Sequence, residues 1–295
     1  MTDGIEAGVK RCYSTWGDTY FDDYYGPDAP YPPVHVDLVR SLLDSPGIAR
    51  VIDAGCGPAS MLRGLPPDLE RYGFDLTPEM VAAAKTVLGD QDVPPTHIWE
   101  GSVTDRSSFR GAPYDAAICI GVLPHVPAAD DARVIENLHA AVRRGGLVVI
   151  EARNELFSLF TLNRYSHRYF EDQLIPTQRL REIAGEDAEE LEMGIEELQG
   201  MFRTDLPPIR GGTQDEPGYD EVLSRTHNPL VLRDQMSELG FEGLQILFYH
   251  WHALPPLVGS RVPALQRRAS LEIERPDDWR GLVMASAFLI AGTRR

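Results

Sequence analysis

The 295-residue chain is poor in cysteine, with only Cys12, Cys56 and Cys119, an odd count without CxxC spacing. That disfavours both a disulfide framework and a zinc knuckle and suits a reducing, cytoplasmic setting. Lysine is scarcer still: Lys10 and Lys85 are the only two, and arginine supplies the rest of 28 basic residues against 45 acidic ones. The formal net charge of −17 repels polyphosphate, so neither nucleic acid nor an anionic membrane is an expected partner. No run of 18 apolar residues occurs, which leaves no candidate membrane span. The opening MTDGIEAGVK lacks the apolar core of a secretory signal. What remains is an ordinary globular composition, 43% hydrophobic and 25% charged, on a chain long enough to bury a core without disulfides or metal.

Strand and helix signals alternate through much of the chain. Residues 49–55 (ARVIDAG) read as a buried strand ending in glycine, and Ser60–Leu65 as the start of a helix. Arg71–Asp75 is a second strand, and Thr77-Pro78 opens a helix to Leu88, with threonine as its cap. Strands follow at Thr96–Glu100, Tyr114–Ile120 and Leu147–Glu151, with a helix Pro127–Arg144 closed by Gly145-Gly146. After a break, a helix Leu230–Leu239, a strand Leu244–His252, a helix Val262–Ile273 and a strand Leu282–Ala291 resume the pattern. Such alternation implies a doubly wound, mainly parallel sheet with helices on both faces.

The expected organisation is an aromatic helical arm (1–45), a nucleotide-binding core (46–153), an inserted helical cap (154–228) and a C-terminal completion of the sheet (229–295). In the arm, Tyr13, Trp16 and Tyr20 share a helical face. That face either packs on the core or covers a ligand, in which case Tyr13 and Tyr20 touch the cofactor.

The strongest site signal is the loop Val51-Ile52-Asp53-Ala54-Gly55-Cys56-Gly57-Pro58-Ala59-Ser60 after the first strand. Ligands bind at such strand ends in open α/β sheets, and glycines let them approach the backbone. A dinucleotide fingerprint needs a third glycine where Ser60 stands, and Asp53 beside the loop would repel a pyrophosphate. A carboxylate there favours a ligand with cationic groups and no phosphate. Asp75 ends the second strand, 20 residues after Gly55, where an acid can accept ribose hydroxyls or cap a helix.

The stretches VIDAGCG, YGFDLTPEMV, EGSVTD, YDAAICIGVLPHV and VRRGGLVVIEA, in this order and spacing, resemble the class I S-adenosyl-L-methionine-dependent methyltransferases of small-molecule type. The likeness covers about residues 48–152 and the closing 240–291 pattern. It implies a seven-stranded Rossmann-like sheet, S-adenosylmethionine as cofactor and methyl transfer to an oxygen or nitrogen of a small acceptor in specialised or carbohydrate metabolism. By the same resemblance Asp53, Ala54, Gly55 and Gly57 line the methionine part, Asp75 holds the ribose, and Leu76 and Met80 lie on the adenine. Ser102 and Val103, after Gly101, meet the adenine edge, and Ile120, Gly121 and Val122 lie beside the sulfonium. Two positions depart from the family pattern: Ala59, often glycine, and Ser102, usually aspartate. The competing readings are an NAD(P)-dependent oxidoreductase and a protein that binds S-adenosylmethionine without methyl transfer.

For chemistry, His125 in GVLPHV is the candidate general base, with structural orientation as its alternative. In the cap, Asn154 is read as capping a helix whose Thr161, Arg164, Tyr165 and Arg168 share a face bordered by His167 and Tyr169. Arginine forks beside tyrosines suit an anionic acceptor, and equally a solvated face paired with the following acidic helix. Arg153, past the fifth strand, is the better-placed cation. His250 and His252 are expected on one strand face, shaping the acceptor pocket or simply packing, and no metal site is expected. A homodimer through the arm or cap is the remaining partner expectation.

Overall fold

The computed structural model describes residues 2–14, 21, 25, 33–205 and 222–295. Short apolar segments rich in Val, Ile and Ala form a seven-stranded sheet: β1 (Arg50–Ala54), β2 (Glu70–Asp75), β3 (Ile98–Glu100), β4 (Tyr114–Cys119), β5 (Val142–Arg153), β6 (Phe241–Trp251) and β7 (Ala285–Arg294). Their order is β3-β2-β1-β4-β5-β7-β6. The first five pair in parallel, and β7 runs antiparallel between β5 and β6. The expected mainly parallel, seven-stranded sheet is therefore present.

Alternation along the strands divides the core in two. Ile52, Ala117, Cys119, Val148 and Ile150 face one side, packed with Val134, Ile135 and Leu138 of helix Asp131–Ala141 and Leu232 and Met236 of helix Pro229–Glu238. Val51, Ala116, Ile118 and Val149 face the other, against Val39 and Leu43 of helix Val34–Leu43 and Val81, Ala84 and Leu88 of helix Pro78–Gly89. Strands with both faces covered read as continuous apolar runs, which is why they are visible in the sequence. The arm supplies helix α1 (Thr2–Ser14), which packs against helix Pro78–Gly89.

Several expected elements differ. Ser60–Leu65 forms only a short 3-10 turn, Leu62–Gly64. Thr77 makes no side-chain cap; its amide donates to Asp75 Oδ1 (2.9 Å) instead. The helix expected over Pro127–Arg144 spans Asp131–Ala141, and β5 begins at Val142, so Gly145-Gly146 lie within a strand rather than beyond a helix. A Cβ on Gly146 would sit 2.8 Å from the Arg143 carbonyl and 3.0 Å from that of Asp115, so the glycine allows the strands to close up where the β4–β5 register shifts. The last strand starts at Ala285, after a helical turn Gly281–Met284.

The chain between β5 and helix Pro229–Glu238 carries short helices, including Ser158–Thr161, Arg164–Tyr169 and Ala188–Gly200. Asn154 starts this segment, and it caps a 3-10 turn by accepting from Leu156 N (3.0 Å) rather than opening one long helix. Its amide lies within 2.8–3.1 Å of the carbonyls of Gly281, Leu282 and Ala285, tying the segment to the start of β7. Asn154 is 2% exposed. Asn154→Asp keeps the shape but replaces the donor with an acceptor facing three carbonyls, so urea denaturation is expected to show a loss of about 3 kcal/mol; a variant with wild-type stability refutes the tie.

Candidate functional site

The site forms where β1 and β2 end. Gly55 takes φ +89° and Gly57 +52°, turning the chain sharply. A Cβ on Gly55 would lie 2.3 Å from Val122 Cγ2, so this position also needs hydrogen for packing. Gly55 N and Cys56 N both donate to Phe74 O (2.8 and 2.9 Å), and Gly57 N donates to Asp75 Oδ2 (2.8 Å). The other Asp75 oxygen accepts from Thr77 N at 2.9 Å. Asp75 thus clasps the loop to β2. Burial raises its pKa, while these hydrogen bonds hold it down. Ala59, at the position often glycine in the resembling family, adopts φ +62°, so the left-handed turn persists with a side chain on it.

Asp53 is different. It is 2% exposed and its Oδ1 has no hydrogen-bond partner. Burial, then the charge of Asp75, push its pKa well above the usual carboxylate range. An unpartnered buried carboxylate oxygen in a cavity wall fits a cationic ligand group and not a phosphate. Nor is the loop free to cradle a phosphate, because the Gly57 amide is already engaged by Asp75.

The cavity holds about 970 Å³ of empty space, part of it open to solvent. Of the residues expected at the cofactor, Tyr13, Asp53, Gly55, Gly57, Asp75, Leu76, Met80, Gly101, Ser102, Val103, Ile120, Gly121 and Val122 line it. The Ala54 side chain does not; it points into the core beneath the sheet. Tyr20 lies outside the described residues. Glu6, Val9 and Tyr25 line the cavity without having been marked by any sequence motif, and Ser60 and Thr104, which lie inside quoted motifs, line it without having been assigned to the cofactor.

His125 is in the wall, in a 3-10 turn after β4 (Leu123–His125). Its Nδ1 lies 2.7 Å from Leu223 O, and its Nε2 lies 2.9 Å from Tyr13 Oη. A carbonyl only accepts, so Nδ1 carries the proton and Nε2 presents a lone pair to the tyrosine hydroxyl. Burial, followed by the charge of Arg153, lowers the His125 pKa to about 4, and the bond to Leu223 acts in the opposite direction. Of the two residues that hold this imidazole, Leu223 was not legible in the sequence. Leu223 belongs to segment 222–228, in which Arg225 donates to Val126 O (2.7 Å) and forks onto Asp131 (2.8 and 2.7 Å). Glu151 was likewise passed over: its Oε2 accepts from Gly121 N (2.6 Å) and its Oε1 from Tyr249 Oη (2.9 Å), fixing the loop beside the cavity. An acid ending the apolar strand segment LVVIE was the one visible signal.

The expected acceptor-binding set is not gathered at this cavity: among the described lining residues, Arg153, Arg164, Tyr165, His167, Arg168 and His250 are absent. The reason is a helix break. Leu162 takes φ +54°, and Asn163 starts a new helix, Arg164–Tyr169, with a capping box. Ser166 and Tyr169 turn inward, leaving Tyr165 and Arg168 exposed. His167 pairs with Glu171 at 3.3 Å, and Arg153 bonds to Ser224 Oγ. His250, with φ +55°, breaks the strand alternation; it packs with His35 (6.1 Å) and Tyr249 (4.6 Å), whereas His252 meets Phe157 (4.6 Å).

Residues 52–148 match the sequence model of a family described as a methyltransferase domain. A carboxy-S-adenosyl-L-methionine synthase of Psychrobacter arcticus is 34% identical over 115 residues, 37% of this chain and 43% of that one. A ubiquinone biosynthesis O-methyltransferase of Xylella fastidiosa is 27% identical over 148 residues, 48% of this chain and 57% of the other. The chain spans about half the length of the curated relatives it matches. Among solved structures, a magnesium protoporphyrin IX methyltransferase from Synechocystis with bound SAH shares the fold, with TM-score 0.51 and 16% identity over 99% of this chain and 100% of that one. Residues 52–148 thus match a methyltransferase domain, and they carry the glycine loop at the end of β1 of a seven-stranded sheet.

Proposed function

We propose that the chain transfers a methyl group from S-adenosylmethionine to an oxygen of a small-molecule acceptor, with nitrogen as the alternative atom. The observation that carries the reading is the unpartnered, buried Asp53 carboxylate at the glycine loop, in one cavity with Asp75 and the Tyr13–His125 pair. Asp53 would meet the cationic amino-acid end of the cofactor, Asp75 the ribose, and Leu76, Met80 and Val103 the adenine. Bound there, the cofactor supplies an activated methyl on a sulfonium.

The chain's own work is then to orient the acceptor, exclude water and take a proton. Tyr13 Oη, on a residue of the cavity wall, is hydrogen-bonded to His125 Nε2. An acceptor hydroxyl passes its proton to Tyr13 Oη as the phenolic proton moves to Nε2. Leu223 holds the tautomer that makes this possible. The ubiquinone-pathway O-methyltransferase relatives accord with an oxygen acceptor. The net charge of −17 favours a small substrate over nucleic acid or an anionic membrane, and among the described residues no helix is long and apolar enough to cross a membrane.

A second reading, a reaction on S-adenosylmethionine other than methyl transfer, rests on the Psychrobacter arcticus relative. Release of S-adenosylhomocysteine in the presence of an acceptor, measured over a panel of phenols, enols, sugars and amines, supports methyl transfer. Donor binding with no S-adenosylhomocysteine from any class refutes it. Titration with NAD(P) is expected to give no heat.

Two further outcomes follow from the site. Because Asp53 binds its proton tightly when buried without a partner, a cationic ligand drives that proton off. In mildly acidic buffer, S-adenosylhomocysteine binding should release a proton, seen as a binding enthalpy that changes with the buffer's ionisation enthalpy; Asp53→Asn should remove that dependence, and its persistence would refute the role. Separately, Tyr13→Phe and His125→Ala are each expected to lower kcat by about 10²-fold or more while leaving S-adenosylhomocysteine affinity nearly unchanged. The neutral base persists until pH falls to about 4, so the acid limb of kcat/KM should lie near there. A limb near the unperturbed imidazole value of ~6.5 contradicts this assignment.

A further inference from the structure

Helix α1 lies over the cavity by one face. Glu6, Val9 and Tyr13, spaced i, i+3 and i+7, all line it. At 1.5 Å per residue, the seven-residue step from Glu6 to Tyr13 spans about 10 Å, on the scale of an adenosyl group. The two polar ends of the face make different contacts. Tyr13 meets His125, while Glu6 Oε1 accepts from Ser102 Oγ (2.9 Å) and Thr104 Oγ1 (3.2 Å).

The sheet-side contribution at the Glu6 end is limited. Ser102 Oγ and Thr104 Oγ1 lie 2.8 Å apart, and Thr104 N donates to Ser102 Oγ at 3.3 Å. Ser102 N is taken by Ser108 Oγ at 3.0 Å. The two hydroxyls and their amides thus satisfy one another and Glu6. Among the described residues only one Glu6 oxygen is engaged, which leaves the second carboxylate oxygen as a strong acceptor on a residue that lines the same cavity as Leu76, Met80 and Val103. Apolar side chains such as these suit the flat faces of a purine, and a carboxylate suits an amino substituent rather than a keto oxygen.

We propose that Glu6, carried by the N-terminal helix and not by the sheet, receives the exocyclic amino group of the donor's adenine. The helix that reads the base at one end then also sets Tyr13 over the reacting end, so donor recognition and assembly of the proton path use a single element. This assignment rests on the S-adenosylmethionine reading of the cavity.

Calorimetric titration with S-adenosylhomocysteine and with S-inosylhomocysteine, which carries a keto group in place of the amino group, tests it. The wild-type protein is expected to prefer the adenosyl compound by about tenfold or more, the scale of one hydrogen bond to a charged group. Glu6→Ala removes the acceptor, and Glu6→Gln keeps its length and its bonds to the two hydroxyls while offering both a donor and an acceptor. In both variants the preference should collapse towards equal affinity. A wild-type protein that does not discriminate, or a Glu6→Ala variant that discriminates as the wild type does, overturns the proposal. A wild-type protein that binds neither compound refutes the donor-site reading instead.

Discussion

The site depends on acidic side chains forced out of water where β1 and β2 end. Asp75 is compensated: the Gly57 and Thr77 amides donate to it, and in accepting them it fixes the path of the glycine loop. Asp53 receives no such help at Oδ1 and lies in the field of Asp75. A buried charge without a partner either takes up a proton or finds a cation. The fold therefore carries a local electrostatic deficit at the mouth of the sheet, and a positively charged ligand relieves it. The same deficit disfavours phosphates, so the sheet that elsewhere serves dinucleotides is here biased by one carboxylate rather than by overall shape.

Around that fixed centre, the reactive side is assembled from pieces far apart in sequence. His125 sits after β4, its tautomer is set by Leu223, its charge is disfavoured by burial and Arg153, and its lone pair is covered by Tyr13. Arg225 ties segment 222–228 both to Val126 and to Asp131 at the start of its helix. Displacing that segment would free the imidazole to rotate, so residues distant from the cavity share control of its orientation.

This division explains what was legible. The glycine loop, Asp53 and Asp75 sit at the ends of continuous apolar strands, and local pattern carries that information. Glu6, Leu223 and Glu151 act through contacts across 96, 98 and 98 residues, for which periodicity leaves no trace. Local rules also misled where tertiary pairing overrode them. Gly145-Gly146 looks like a helix stop, yet the chain is already paired with β4 from Val142. The arginine and tyrosine face expected before Tyr169 assumed one helix, and a left-handed Leu162 with a capping asparagine divides it in two.

The low pKa of His125 also bears on the acceptor. If a proton moved fully to His125 before the new bond formed, the cost would follow the pKa gap at about 1.4 kcal/mol per unit. Against a base near 4, a phenol near ~10 implies about 8 kcal/mol, and an aliphatic hydroxyl, a much weaker acid, implies far more. The first is tolerable within a catalysed barrier, whereas the second consumes most of one. Proton loss must therefore run with bond formation, as the acceptor oxygen becomes more acidic, and the Tyr13–His125 pair is matched to phenolic or enolic oxygens more than to sugar hydroxyls.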